Sequence, residues 1–327
     1  MTRRRPLTRA LVLGASAAIA LALAVSACGA ESSPGLSGPQ APVLAVSTAP
    51  AAPEATEEPT TAAPATATGS DAVTTTPVTS AEASTSASTS PRAPVTFTVL
   101  FDDHAARPGV QAGHGFSCLV SGLEKTVLFD TGSHGDILLS NMKALMIEPG
   151  QIDAVVISHG HGDHTGGLVE FLGQNPAVSV YHPATCTGAF VRAAAEAGAA
   201  LAPVEAAVAV CAGLFVTRPS GDPCESALLV ETTRGRVLLT GCAHPGIVEM
   251  VKAASDLAGE PVRVVMGGFH LLSSSAGQVD RVVQGLKDLG VWSCGPAHCT
   301  GEAATTRMKE AFGAGAIEMG VGASIVF

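Results

Sequence analysis

An α/β domain of two packed sheets with helices outside is what residues 95–327 predict, and three observations lead to it. Short apolar strands follow one another closely at the start, strands then alternate with helix-length amphipathic stretches, and the length suits one domain with a substantial core.

The early strands are VTFTVLF (95–101), FSCLVSG (116–122) and TVLFD (126–130), separated by glycine and charged turns as in a meander. Later strands are AVVIS (154–158), AVSVYH (177–182), SALLVE (226–231), RVLLTG (236–241) and PVRVVMG (261–267). Apolar spacing predicts helices over 166–174, 187–198, 246–257, 277–288 and 301–312. No repeat of fixed period is present.

The chain before residue 95 reads as processing signal and linker. Arg3, Arg4, Arg5 and Arg9 form a positive region ahead of an apolar run, 10–25, too short and small-sided for a membrane-spanning helix. Val25-Ser26-Ala27-Cys28-Gly29 resembles a bacterial lipobox, which implies cleavage before Cys28 and lipidation of its sulfur, so residues 1–28 are expected to be removed or anchored. Residues 29–94 lack aromatics and histidine and consist almost entirely of Ala, Pro, Thr, Ser and Glu. Such a segment cannot bury enough apolar surface to offset its ordering entropy, and it is expected to be a disordered tether. The expectation is an exported lipoprotein held at the extracytoplasmic face of a bacterial membrane. Residues 95–327 carry 13 Lys and Arg against 22 Asp and Glu, an acidic balance that argues against a nucleic-acid partner. A small-molecule substrate fits better.

All ten histidines fall in 95–327, and three of them crowd into His159-Gly160-His161-Gly162-Asp163-His164. The preceding strand delivers His159 to a loop, and the small Gly160 and Gly162 let the backbone curl so that imidazoles and a carboxylate converge. Those are the donors that borderline divalent metals favour, so the cluster reads as a metal site.

The HxHxDH pattern resembles the signature of the metallo-β-lactamase superfamily. VLFDTG (127–132), TGCAHPGI (240–247), GGFHLL (267–272) and HCTG (298–301) extend the resemblance. Together they are similar to a branch of metal-dependent hydrolases that includes the archaeal dihydropterin ribofuranosyl-aminobenzene phosphate synthase. The resemblance implies a four-layer αβ/βα sandwich with a pair of divalent ions at one edge, zinc first and manganese or iron as alternatives. It implies that His159 and His161 bind one ion, that Asp163 and His164 bind the other, and that Asp130 accepts a hydrogen bond fixing a ligand imidazole.

Two departures leave ligands open. Where many members have a bridging Asp after LLTG, this chain has Cys242, with His244 two residues on; either can ligate. The stretch where members carry a further histidine reads Ser220-Gly221-Asp222-Pro223-Cys224-Glu225-Ser226, so Asp222, Glu225 or His244 fills the vacancy. His270 and His298 follow strands and are candidate ligands or acids. His114 is the remaining histidine best placed to face the pocket, while His104, His134 and His182 read as loop or surface residues.

Two ions bridged by one water would make hydroxide available near neutral pH and polarise an electrophilic oxygen. The predicted reaction is hydrolysis of an ester-like bond (phosphoester, thioester or lactone), with Asp163 orienting the attacking hydroxide and His298 or His270 protonating the leaving group. Alternatives are a pterin-related synthase or redox enzyme on the same scaffold, and a non-catalytic metal- or ligand-binding surface lipoprotein. Without Cys28, seven cysteines remain; a Cys211–Cys224 disulfide is expected, and CxxxxC at 294–299 resembles a zinc half-site.

Overall fold

The computed structural model describes residues 93–327. The expected signal segment with Cys28, and all of the expected tether but its last two residues, lie outside the described residues.

Two mixed sheets form the centre. The first has seven strands in the order β13-β1-β2-β3-β4-β5-β6, with β1 Thr96–Phe101, β2 Ser117–Ser121, β3 Val127–Phe129, β4 Ala154–Val156, β5 Ser179–Pro183, β6 Ala200–Val204 and β13 Ser324–Val326. The second has six in the order β12-β11-β10-β9-β8-β7, with β7 Val208–Cys211, β8 Leu214–Val216, β9 Leu228–Thr232, β10 Gly235–Thr240, β11 Val262–Gly268 and β12 Ser293–Ala297. Strands β3 to β6 run parallel to one another, as do β10, β11 and β12; the other pairs are antiparallel.

Strand alternation explains the layering. In β3, Val127 and Phe129 join the core between the sheets, and Leu128 points to the helices on the other side. In β10, Val237 and Leu239 face the same central core while Leu238 faces outward to its own helices. On the first sheet the helical layer comprises α1 (Gly135–Ala144), α3 (Leu168–Gln174) and α4 (Ala189–Glu196); on the second it comprises α5 (Ile247–Ala258), α6 (Ala276–Asp288) and α7 (Glu302–Phe312). A short α2, Gly162–Thr165, sits inside the histidine cluster.

Helices α3 to α7 fall within a few residues of the expected spans and β12 is the strand expected ahead of His298, but α1, β6, β7, β8 and β13 have no counterpart among the expected elements. The strand β12 reads SCGPA, whose Gly and Pro suppress strand propensity, yet it is wholly buried beside β11. The anticipated Cys211–Cys224 disulfide is not present, since both are free thiols, and Cys224 instead donates to the Gly221 carbonyl. His182 corrects the surface expectation: it is buried in β5, with Nδ1 on the Pro183 carbonyl.

Candidate metal centre

Strand ends from both sheets supply the site. His159 follows β4, Asp130 follows β3, and Asp102 and Asp103 follow β1; Cys242, His270 and His298 follow β10, β11 and β12. Asp130, Ala243, His270 and His298 all have positive φ, an uncommon backbone state for residues with a Cβ.

Two groups of donor atoms adjoin each other. His159, His161 and His244 form one; Asp163, His164, Cys242 and His298 form the other, and within each group the donor atoms lie within 4.8 Å of one another. Hydrogen bonds behind the rings decide which nitrogen faces inward. Ser158 Oγ donates to Asp130 Oδ2 at 2.7 Å, so it accepts from His159 Nδ1 at 2.9 Å, leaving Nε2 of His159 to face His161 Nδ1 at 3.1 Å. His164 Nδ1 donates to Asp130 Oδ2 at 2.7 Å, which turns Nε2 towards Cys242 Sγ at 3.2 Å. His244 Nδ1 donates to Glu225 Oε2 at 2.8 Å, so its Nε2 is the free nitrogen.

Glu225 therefore differs from the expected oxygen ligand. Its Oε1 accepts the amide N–H groups of Cys242 and Ala243 and its Oε2 accepts that of His244, so all its acceptor capacity is turned onto the β10 exit loop. Asp222 is exposed and belongs to no donor group. His244, with its Nε2 free, stands instead beside His159 and His161. The anticipated half-site also divides, because Cys294 packs in the core beside α6 and α7, whereas Cys299 groups with Cys242 and His270.

His298 was the residue whose surroundings the sequence could not show. Its Nδ1 lies 3.1 Å from Asp103 Oδ1, its Nε2 lies 3.1 Å from Asp163 Oδ2, and its amide donates to Asp102 Oδ1. No spacing signal links Asp102 or Asp103 to His298, far apart in the chain. His114 stands at the rim, Nε2 3.5 Å from Asp163 and its ring 4.9 Å from that of His298. A cavity of about 260 Å³ opens over the group, lined by His114, His161, Asp163, His244 and His270 among others.

The electrostatics suit cation binding. Burial and the neighbouring imidazoles push His159 down to about 2, so it is neutral, with a free lone pair, at neutral pH. His161 is lowered as well, by burial and then by His244. Burial would raise Asp163, but the hydrogen bond from His298 and the fields of His164 and His298 outweigh it and hold the carboxyl below the usual range. For His298, burial is outweighed by its bonds to Asp103 and Asp163, which lift it to about 10. Burial is the largest influence on Asp102, raising it to about 6 against the amide donors of His298 and Asp103. Neutral and anionic donors packed together, with protons held between the carboxylates, form a set in which a divalent ion can replace those protons.

Residues 110–258 match the family model for the metallo-beta-lactamase superfamily. The chain is 29% identical over 251 residues to the 7,8-dihydropterin-6-methyl-4-(beta-D-ribofuranosyl)-aminobenzene-5'-phosphate synthase of Methanocaldococcus jannaschii, covering 61% of this chain and 85% of that protein. An uncharacterized protein of the same organism is 26% identical over 243 residues, covering 64% of this chain and 92% of its own length. Among solved structures, a metal-dependent hydrolase of the beta-lactamase superfamily superposes with a TM-score of 0.62 at 30% identity, over 71% of this chain and 98% of that one. With sequence identity sustained across nearly all of that hydrolase, and with the same two-sheet architecture, the chain belongs to the metallo-β-lactamase superfamily.

Proposed function

We propose that the protein is a metal-dependent hydrolase of an ester-like bond, phosphoester, thioester or lactone, acting on a small molecule. The observation that carries this reading is the pair of adjoining donor groups in which Ser158, Asp130 and Glu225 turn the free nitrogens of His159, His164 and His244 inward. His159, His161 and His244 would hold one divalent ion, and Asp163, His164 and His298 a second, with Cys242 beside them. Zinc suits the imidazole, carboxylate and thiolate set best, with manganese or iron as substitutes. Ions held there would lower the pKa of a bound water and polarise the electrophilic oxygen.

The chain's own groups supply the rest. Asp163 Oδ2, kept ionised by its surroundings, accepts a hydrogen bond from the attacking water and orients it. The exposed His270, at the cavity mouth, protonates the leaving atom. His298 is engaged at both ring nitrogens, so the acid role falls to His270 and the donor role to His298. The synthase name of the archaeal relative favours a second reading, group transfer on the same scaffold. Incorporation of labelled oxygen from water into product separates the two.

The test compares the full chain with its His161→Ala and Asp163→Ala variants for metal content by plasma mass spectrometry and for hydrolysis of chromogenic phosphoesters, thioesters and lactones. At least about two ions per chain, falling in either variant together with turnover, is the expected result. Absence of bound metal after reconstitution with zinc, manganese and iron would overturn the reading. We further propose that the chain is exported and lipid-anchored through Cys28, the lipobox-like sequence being the support. Detergent-phase partitioning should be lost in Cys28→Ala; an unchanged partition would sink that idea.

A further inference from the structure

Cys299, deprived of Cys294 as a partner, meets a thiol from another strand. The strands β10, β11 and β12 are parallel neighbours, ending at Thr240, Gly268 and Ala297. Two residues beyond each end stand Cys242, His270 and Cys299. The two sulfurs and a ring nitrogen of His270 lie within 4.8 Å of one another.

The backbone supports this convergence. Gly268 is flush against the neighbouring loops: a Cβ there would stand 2.3 Å from the Gly241 carbonyl oxygen, 2.7 Å from Cys299 Sγ and 3.3 Å from Cys242 Cα. His270 holds φ at 51°, and its amide donates to Cys299 Sγ at 3.3 Å. Tetrahedral bonds of about 2.3 Å to sulfur and about 2.0 Å to nitrogen set these donors roughly 3.5 to 3.8 Å apart, inside the 4.8 Å within which the three atoms lie.

We propose that Cys242, His270 and Cys299 form a further, sulfur-rich cation site for a thiophilic divalent ion such as zinc. Two thiolates and one imidazole leave a fourth position open, and the cavity that also borders His161 and His244 is where it opens. Cys242 is shared with the Asp163, His164 and His298 group, so its sulfur bridges the two positions. The inference does not depend on the hydrolase reading but shares Cys242 and His270 with it: with this position loaded, His270 is a ligand and the leaving atom takes its proton from water.

The full chain, purified anaerobically with a reductant and then freed of the reductant, is titrated with zinc alone and separately with cobalt(II). The comparison includes the variants Cys299→Ser, His270→Asn and His161→Ala. His270 is exposed and Asn tolerates a left-handed backbone, so this variant keeps the fold if Cys299→Ser does not. The expected result is one equivalent fewer in Cys299→Ser and His270→Asn, with a weakened sulfur-to-cobalt charge-transfer band in Cys299→Ser that persists in His161→Ala. Unchanged zinc uptake and an unchanged band in both site variants would overturn the proposal, as would a Cys242–Cys299 disulfide found by mass in the metal-loaded protein. Metal lost only in His161→Ala leaves the hydrolase reading standing and removes this one; metal lost only in Cys299→Ser and His270→Asn does the reverse.

Discussion

Glu225 shows how much one buried carboxylate can organise. It is fully buried and meets three consecutive amides and an imidazole, so each of its lone-pair directions is used. Burial would raise its pKa, but the hydrogen bond from the His244 ring, helped by the loop amides, brings it from 4.5 down to about 2. Because the folded value is depressed, the carboxylate stabilises the native state above pH 4.5 and that contribution is lost as pH falls towards 2; its size is roughly 3 kcal/mol. In Glu225→Gln an amide –NH₂ must replace one acceptor, either against His244 or against the amides of Cys242 and Ala243. Zinc affinity is expected to fall roughly 10- to 100-fold, measured by competition with a chromophoric chelator. Melting at a series of pH values should show a lower midpoint and a flatter acid limb. Unaltered zinc affinity would show that His244 needs no such partner.

At the scale of elements, the centre depends on how closely the sheet edges approach. Gly241 directly follows β10, and a Cβ there would lie 2.2 Å from Ser158 Oγ and 3.0 Å from Asp130 Oδ2, just beyond the ends of β4 and β3. Gly241→Ala should therefore cost about 1–3 kcal/mol and weaken metal binding although it removes no donor. Gly173→Ala, in α3 where a Cβ meets nothing within 4 Å, should instead be neutral or stabilise by about 0.5–1 kcal/mol. Thermal melts and metal titration of the two variants check the contrast. Legibility in sequence followed the same division. The His159 to His164 cluster was readable because its donors are packed into six positions, and α5 and α6 because their apolar spacing is regular. Glu225 was visible as a carboxylate, but not the direction it faces, since a loop fold determines that. The strands β6 to β8 are only five, four and three residues long, and β6 and β7 are built largely of small residues, so a pattern has no room to show and pairing with neighbours defines them.

For the whole molecule, ions that bind the native state alone add stability by mass action, about 3 kcal/mol at a free concentration a hundredfold above Kd. Chelation is expected to lower the melting midpoint by several degrees, and added zinc to restore it in a concentration-dependent way, as read by differential scanning calorimetry. Equal midpoints with and without chelator would mean that the metal, if bound, does not distinguish folded from unfolded chain. The cores on either side of the sheets are continuous and apolar, so the metal-free domain should still unfold cooperatively.

The hydrogen bond from the His298 amide to Asp102 joins residues 196 positions apart. A ribosome makes the chain from its amino end, so the histidine-rich loop is complete long before the last donor has been synthesised. Until residue 299 emerges, the early donors hold only a fraction of their partners and any ion there is loosely kept. If these donors hold the metal as proposed, selection among competing ions is deferred to the finished polypeptide, and the surroundings in which the final helix docks would determine which ion is retained.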